Sequence, residues 1–231
     1  MQTLQIHGKN VLAFLPEQKQ PALGVFYTFP DSEAEAEQLA QSLPANRALI
    51  AIFEPDWEQH FTPWTAPRLF KKGADFGGAA AAYHDALTQV WIPEIEQVLS
   101  LDVAWRGILG YSLAGLFALY NAYCAPYFDY VACVSGSLWF DGWLDFAQKN
   151  TPAKLPKAMY FSLGDTEANS KNPRMATVQA ALEQTAAQWQ SYACPSVLKI
   201  NQGGHFDDVP QRFDDVPQRL AKAAQWLMQA A

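Results

Sequence analysis

Short apolar runs alternate with segments of helical spacing along most of this chain, and that alternation limits the fold more than any other feature. Leu23 to Thr28, Arg47 to Phe53, Arg106 to Leu109, Val131 to Ser135, Met159 to Leu163 and Ser196 to Ile200 each read as a strand. Between them lie helical patterns: one opening at Ser32 with Glu33 and Glu35 in its first turn, Ala79 to Leu99, Leu113 to Tyr123 and Pro173 to Gln190. Leu220 to Met228 closes the chain as a further helix, and Pro93 should kink or break the helix that contains it. Residues 3–15 read as a hairpin around His7-Gly8-Lys9-Asn10. Strands followed by helices predict an α/β protein, a mostly parallel central sheet with helices on both faces. Ligands of such sheets bind at the carboxyl ends of strands.

A chain of 231 residues suits a single α/β domain over 1–231, and half of its residues are hydrophobic, enough for a sizeable core. Its formal net charge of -7, without a Lys/Arg cluster, offers nucleic acid no electrostatic footprint. The first residues lack a basic stretch followed by an apolar one and no apolar run reaches membrane-spanning length, so neither a secretory leader nor a membrane partner is expected. Cys124, Cys133 and Cys194 are widely spaced and make no CxxC pair, which fits buried free thiols in a reducing cytoplasm. The oligomeric state is not legible. Glu54 to Gly78 is rich in Pro, Gly, Trp and charge and has no period; a loop this long in a compact domain is usually functional.

The chemistry concentrates at Gly110-Tyr111-Ser112-Leu113-Ala114-Gly115, between a strand and an apolar helix. A serine hydroxyl is a poor nucleophile unless it is exposed, aligned and next to a base. A sharp strand-to-helix turn exposes it, and needs small residues two before and two after. Gly110 and Ala114 meet that need. The backbone N–H of Leu113, at a helix N-terminus, can face a developing oxyanion. Of the four histidines, His205 lies in Gly203-Gly204-His205-Phe206 after the last strand, where the order serine, acid, histidine puts the base. His7 and His84 read as structural, and His60 as bordering a pocket. Gly164-Asp165-Thr166-Glu167 follows a strand and offers two carboxylates to orient the imidazole; spacing alone does not choose between Asp165 and Glu167.

These residues resemble the Putative esterase family, which includes S-formylglutathione hydrolases, feruloyl esterases, mycolyltransferases and enterobactin-type siderophore esterases. The resemblance runs from Thr62-Pro63-Trp64 through Pro93-Glu94-Ile95-Glu96, Ser112, Ser135-Gly136-Ser137-Leu138-Trp139 and Gly164-Asp165-Thr166-Glu167 to Gly204-His205-Phe206. It implies the α/β-hydrolase fold and a carboxylic-ester hydrolase of the siderophore-esterase-like branch. It places the acid three residues after the strand-end glycine, at Glu167. A second oxyanion donor would come from the loop Thr28-Phe29-Pro30, at Phe29, although the acidic-glycine signature of that loop is absent. Trp64, Trp139 and Trp143 are candidates to line an acyl or aryl pocket. A small-molecule ester is the expected partner, on a siderophore-like or aryl scaffold, with no metal or organic cofactor. The rival readings are an S-formylglutathione-type thioester hydrolase and a hydrolase-fold binding protein without catalysis.

One repeat stands out. Phe206-Asp-Asp-Val-Pro-Gln-Arg212 is followed at once by the identical Phe213-Asp-Asp-Val-Pro-Gln-Arg219. With one copy removed, the stretch from His205 to Trp226 resembles the family's histidine loop and last helix without a gap. A local tandem duplication therefore predicts an extra turn or loop after His205. Asp215 would then stand near the N-cap, and Pro217 in the first turn, of the closing helix.

Overall fold

The structure is a computed structural model that describes residues 1–18, 21–71, 73–205 and 209–230, except for the side chains of 209–215. Strands β1 (Gln2–Ile6) and β2 (Lys9–Phe14) form the predicted hairpin, turning through His7 and Gly8, both at positive φ. Next come β3 (Leu23–Thr28), α1 (Glu33–Ser42), β4 (Ala48–Ile52) and α2 (Trp57–His60). Ser32 caps α1 through its side chain, accepting from the Glu35 N–H at 3.2 Å. Two-residue strands β5 (Thr65–Ala66) and β6 (Phe76–Gly77) pair with each other. The stretch read as a long loop thus holds a short helix and a small ribbon, elements too brief to leave a period in the sequence.

Helices α3 (Ala80–Ala86) and α4 (Ile92–Val98) flank a π-turn at Leu87–Trp91. Pro93 explains the irregularity. It has no N–H for the carbonyl four residues back, and the wider turn before it absorbs the mismatch without a break. The second half of the chain holds β7 (Val103–Tyr111), α5 (Ser112–Cys124), β8 (Tyr130–Val134), α6 (Trp143–Lys149), β9 (Ala158–Gly164), α7 (Val178–Ser191), β10 (Ser196–Asn201) and α8 (Val209–Gln229).

Eight strands make one sheet in the order β1-β2-β4-β3-β7-β8-β9-β10. Only β2 runs against its neighbours β1 and β4; the pairs from β4 across to β10 are parallel. Both faces are covered. One core joins α5 and α7 to the sheet through Leu116, Phe117, Leu182 and Trp189. The other joins α1 and α8 through Leu39, Leu220, Ala224 and Leu227. The strand order reverses between β3 and β7, so a crevice opens at the carboxyl ends of those two strands. Among the described residues no helix is long and apolar enough to cross a membrane.

The repeat departs from expectation. Residues 206–208 lie outside the described residues, but α8 begins at Val209 and runs unbroken through the second copy. Asp215 is therefore not an N-cap, and Pro217 sits inside the helix. An interior proline costs about 3 kcal/mol. Burial of Val216, Leu220, Ala221, Ala223, Ala224 and Leu227 against the sheet offsets it, each fully buried larger side chain contributing about 1.5–3 kcal/mol. The first-turn place expected for Pro217 falls instead to its twin, Pro210.

Candidate active site

β7 passes directly into α5 at Ser112, whose φ is 58°. A non-glycine residue held in the left-handed region costs on the order of 1–3 kcal/mol, and such strain gathers at sites where a side chain must be aimed. The neighbours make the turn feasible. A Cβ on Gly110 would lie 2.0 Å from the Ala114 carbonyl oxygen, and one on Gly115 would lie 2.9 Å from Gly136 Cα. Both glycines are thus demanded by close backbone approach. The Ser112 carbonyl accepts from the Ser137 N–H at 3.0 Å, which ties the turn to the loop after β8.

His205 follows β10 and reaches the serine. Its Nε2 lies 3.0 Å from Ser112 Oγ, and its ring stacks on Tyr111 with centroids 5.1 Å apart. Its Nδ1 lies 2.9 Å from Glu167 Oε2. Glu167 stands in a 3-10 turn after β9 with its side chain 3% exposed. Its other oxygen, Oε1, accepts from Ser135 Oγ at 2.7 Å, from the Gly164 N–H at 2.7 Å and from Arg219 Nη1 at 3.4 Å. Burial alone would raise the pKa of this carboxyl. The hydrogen bond and charge of His205, with the donors Ser135 and Gly164, outweigh burial and hold it below the ordinary glutamate range.

Asp165, the other carboxylate left open by spacing, is exposed and does a different job. Its Oδ1 accepts from the Gly203 N–H at 2.9 Å, and its own N–H donates to the Asn201 carbonyl at 2.8 Å. It fastens the loop that carries His205. Gly164 lets that loop come close, since a Cβ there would lie 2.1 Å from the Gly203 carbonyl oxygen.

A cleft of about 790 Å³ opens beside Ser112, Leu113, Ser137 and His205. Trp139, Phe76, Phe70, Trp57 and Phe53 give it aromatic walls, and Lys9, Arg68, Glu54, Glu58 and Asp31 add charge. Trp64 lies outside that lining. Its ring packs on Phe140 and Phe146, and its Nε1 donates to the Asp141 carbonyl at 2.7 Å. Trp143 is 1% exposed and bonds Thr185 in the core. The Phe29 ring is likewise in the core, against Phe61 and Phe117. In the turn after β3, Pro30 has no N–H and that of Asp31 donates to Glu35 Oε2 at 3.2 Å, so Phe29 holds the turn's remaining N–H. Among the histidines, His7 pairs with Glu94 on the surface, and buried His84 bonds Asn121. His60 pairs at 2.9 Å with Glu54, itself a cleft residue also held by Lys9.

Sequence reasoning missed Ser135 and Arg219 as parts of the site. Ser135 lies in a motif that carried the family resemblance, and its φ of 45° points its hydroxyl to Glu167. Arg219 gave no signal beyond its place at the end of the repeat. Among the described residues no three His, Cys, Asp or Glu side chains are grouped so as to hold a metal ion.

Comparison with known proteins bears on the family and the fold. The sequence model of the family described as Putative esterase matches residues 20–208. An uncharacterised protein of Bacillus subtilis (strain 168), YbbA, is 28% identical over 134 residues, which span 57% of this chain and 53% of that relative. The chain therefore spans about half the length of the curated relative it matches. Among solved structures, the siderophore hydrolase EstA from Aspergillus nidulans superposes with a TM-score of 0.74 at 16% identity, covering 96% of this chain and 94% of that one. An IroE-like serine hydrolase from Shewanella oneidensis gives 0.73 at 17% identity, covering 96% and 80%. At these identities the likeness is one of fold, the α/β-hydrolase fold.

Proposed function

This chain belongs to the Putative esterase family, and on that premise we propose that it is a serine carboxylic-ester hydrolase with Ser112 as nucleophile, His205 as base and Glu167 as the acid that orients it. The observation that carries the reading is the chain of contacts from Ser112 Oγ to His205 at 3.0 Å and from His205 to Glu167 at 2.9 Å, with Ser112 and His205 on the wall of the cleft. His205 Nε2 takes the hydroxyl proton as Ser112 Oγ attacks the ester carbonyl. The N–H groups of Leu113 and Phe29 receive the oxyanion. Collapse breaks the ester C–O bond, and the imidazolium returns its proton to the departing alcohol. Water, deprotonated by His205, then attacks the acyl group on Ser112; the Oγ–acyl bond breaks, the imidazolium returns the proton to Ser112 Oγ, and the acid leaves. Glu167 keeps the imidazole in the tautomer whose Nε2 can accept a proton, and stabilises it when charged.

The cleft volume falls in the range of small-molecule sites, and is large for a simple acetate ester. Aromatic walls that include Trp139, with the cations Lys9 and Arg68 in the same lining, favour a bulky aryl or siderophore-like ester. A panel of nitrophenyl esters, a catechol trilactone and S-formylglutathione tests this. The expected order puts aryl oxygen esters at least about tenfold above the thioester in kcat/KM, since pocket contacts of 1–3 kcal/mol give 10–200-fold discrimination. Preference for S-formylglutathione would replace this reading with the thioesterase one.

The repeat gives a second test. Deleting residues 213–219 yields the same sequence as deleting 206–212, so an arginine still precedes Leu220. Seven residues are nearly two helical turns, and the remaining helix keeps its phase against the sheet. The deletion protein should fold and hydrolyse a nitrophenyl ester within about threefold of the parent, below the ~1.4 kcal/mol of a tenfold change. A folded but inactive deletion protein would contradict it.

A further inference from the structure

The side chain of Arg219 reaches from α8 into the space behind Glu167, and the residue is 2% exposed. Its Nη1 donates to Ser135 Oγ at 3.1 Å and lies 3.4 Å from Glu167 Oε1, and its Nη2 donates to the Gln202 carbonyl at 3.1 Å. One planar group therefore touches the candidate acid, the hydroxyl that holds the acid, and the loop that carries the candidate base. These come from three places in the chain: after β9, after β8 and after β10. Arginine suits such a junction because its donors are fixed in a rigid fork.

We propose that Arg219 is a positioning residue for the Ser112–His205–Glu167 relay, locking the Glu167 carboxylate and the His205 loop together from behind. The proposal rests on the esterase reading above. It assigns a role to the last helix, and to the second copy of the repeat, that neither the family resemblance nor the motif spacing indicated. Its physical content is twofold. The fork fixes which Glu167 oxygen faces His205, because Oε1 is claimed by three donors and Oε2 is left for the imidazole. The buried cation also balances the carboxylate, so the charge that Glu167 offers to an imidazolium is tempered. His205 meets Tyr111 from β7, Ser112 at the head of α5 and Glu167 after β9; Asp165 reaches its loop through Gly203, and Arg219 from α8 reaches it through Glu167 and Gln202.

Arg219→Gln and Arg219→Lys, prepared in the full chain, separate positioning from mere packing. Arg219→Gln removes the cation, so kcat should fall about tenfold with KM little changed, and the acid limb of kcat/KM should move to higher pH. Arg219→Lys keeps the charge without the fork; it should restore the acid limb while recovering only part of kcat. A readout independent of turnover is the downfield proton resonance of His205 Nδ1 in the bond to Glu167, which should shift or broaden in Arg219→Gln. A folded Arg219→Gln protein with the parent's acid limb and the parent's Nδ1 resonance overturns the proposal. If that variant does not fold, an Arg219→Lys protein with unaltered kcat and resonance overturns it. Because the resonance needs no substrate, a parent protein that hydrolyses no ester would sink the esterase reading and still leave the positioning role decided.

Discussion

Replacing Ser112 with alanine is expected to lower kcat/KM for a nitrophenyl ester at least about 10⁴-fold while leaving the fold intact. The size of the effect follows from the proposed route. Without the hydroxyl no acyl intermediate forms, and His205 can only assist direct attack by water. What remains is the oxyanion donors and binding, which in such enzymes still give about 10³–10⁴-fold over water. Stability should change little, because alanine at a φ of 58° bears the same backbone strain as serine. A variant with more than a hundredth of the parent activity would remove Ser112 from the chemistry.

The second large effect is expected at Glu167. Glu167→Gln conserves shape, yet kcat should fall about 10²–10⁴-fold. Oε1 sits among three donors, so the carbonyl oxygen of the glutamine must take that place. Its NH₂ group then meets His205 Nδ1, where a donor can only be accepted. The imidazole is driven to carry its proton on Nε2, the nitrogen that must accept from Ser112. Asp165→Asn keeps an acceptor for the Gly203 N–H and should cost less than about threefold, under 1 kcal/mol. Nearly full activity in Glu167→Gln together with loss in Asp165→Asn would reverse the assignment. The same carboxyl contributes to acid stability. Its folded-state pKa is depressed, so its contribution is complete above the unfolded value of about 4.3 and is lost as pH falls through the lower folded value. Glu167→Gln should therefore flatten the loss of unfolding free energy in that acid window.

What the sequence disclosed was mostly short-range. The strand β3, the Ser32 cap, the hairpin at His7-Gly8 and the turn at Ser112 were legible because apolar runs, capping, alternation and small-residue spacing act within a few positions. The turn at Ser112 could be placed because Gly110 and Gly115 mark backbone contacts that no other residue allows. Helix α6 was not foreseen, since its seven residues start from a left-handed Gly142 and are too few to show a period. Choosing Glu167 over Asp165 lay beyond spacing, because it depends on which carboxylate the turn after β9 points inward. Trp64 and Trp139 look alike in sequence, yet only Trp139 faces the cleft, as decided by the packing of Phe140 and Phe146. Arg219 was hidden because its partners lie 17 to 84 positions away. The duplication suggested a loop, but α8 runs from Val209 through Pro217.

The central claim, that Ser112 is a nucleophile activated by His205, is tested most directly by a fluorophosphonate probe with the modified peptide identified by mass spectrometry. The account predicts labelling of the native protein at Ser112 alone, lost in Ser112→Ala and slowed at least about 100-fold in His205→Ala, the lower range for a positioned base. A folded, native protein that leaves Ser112 unmodified would contradict it and leave a hydrolase fold that binds without catalysis.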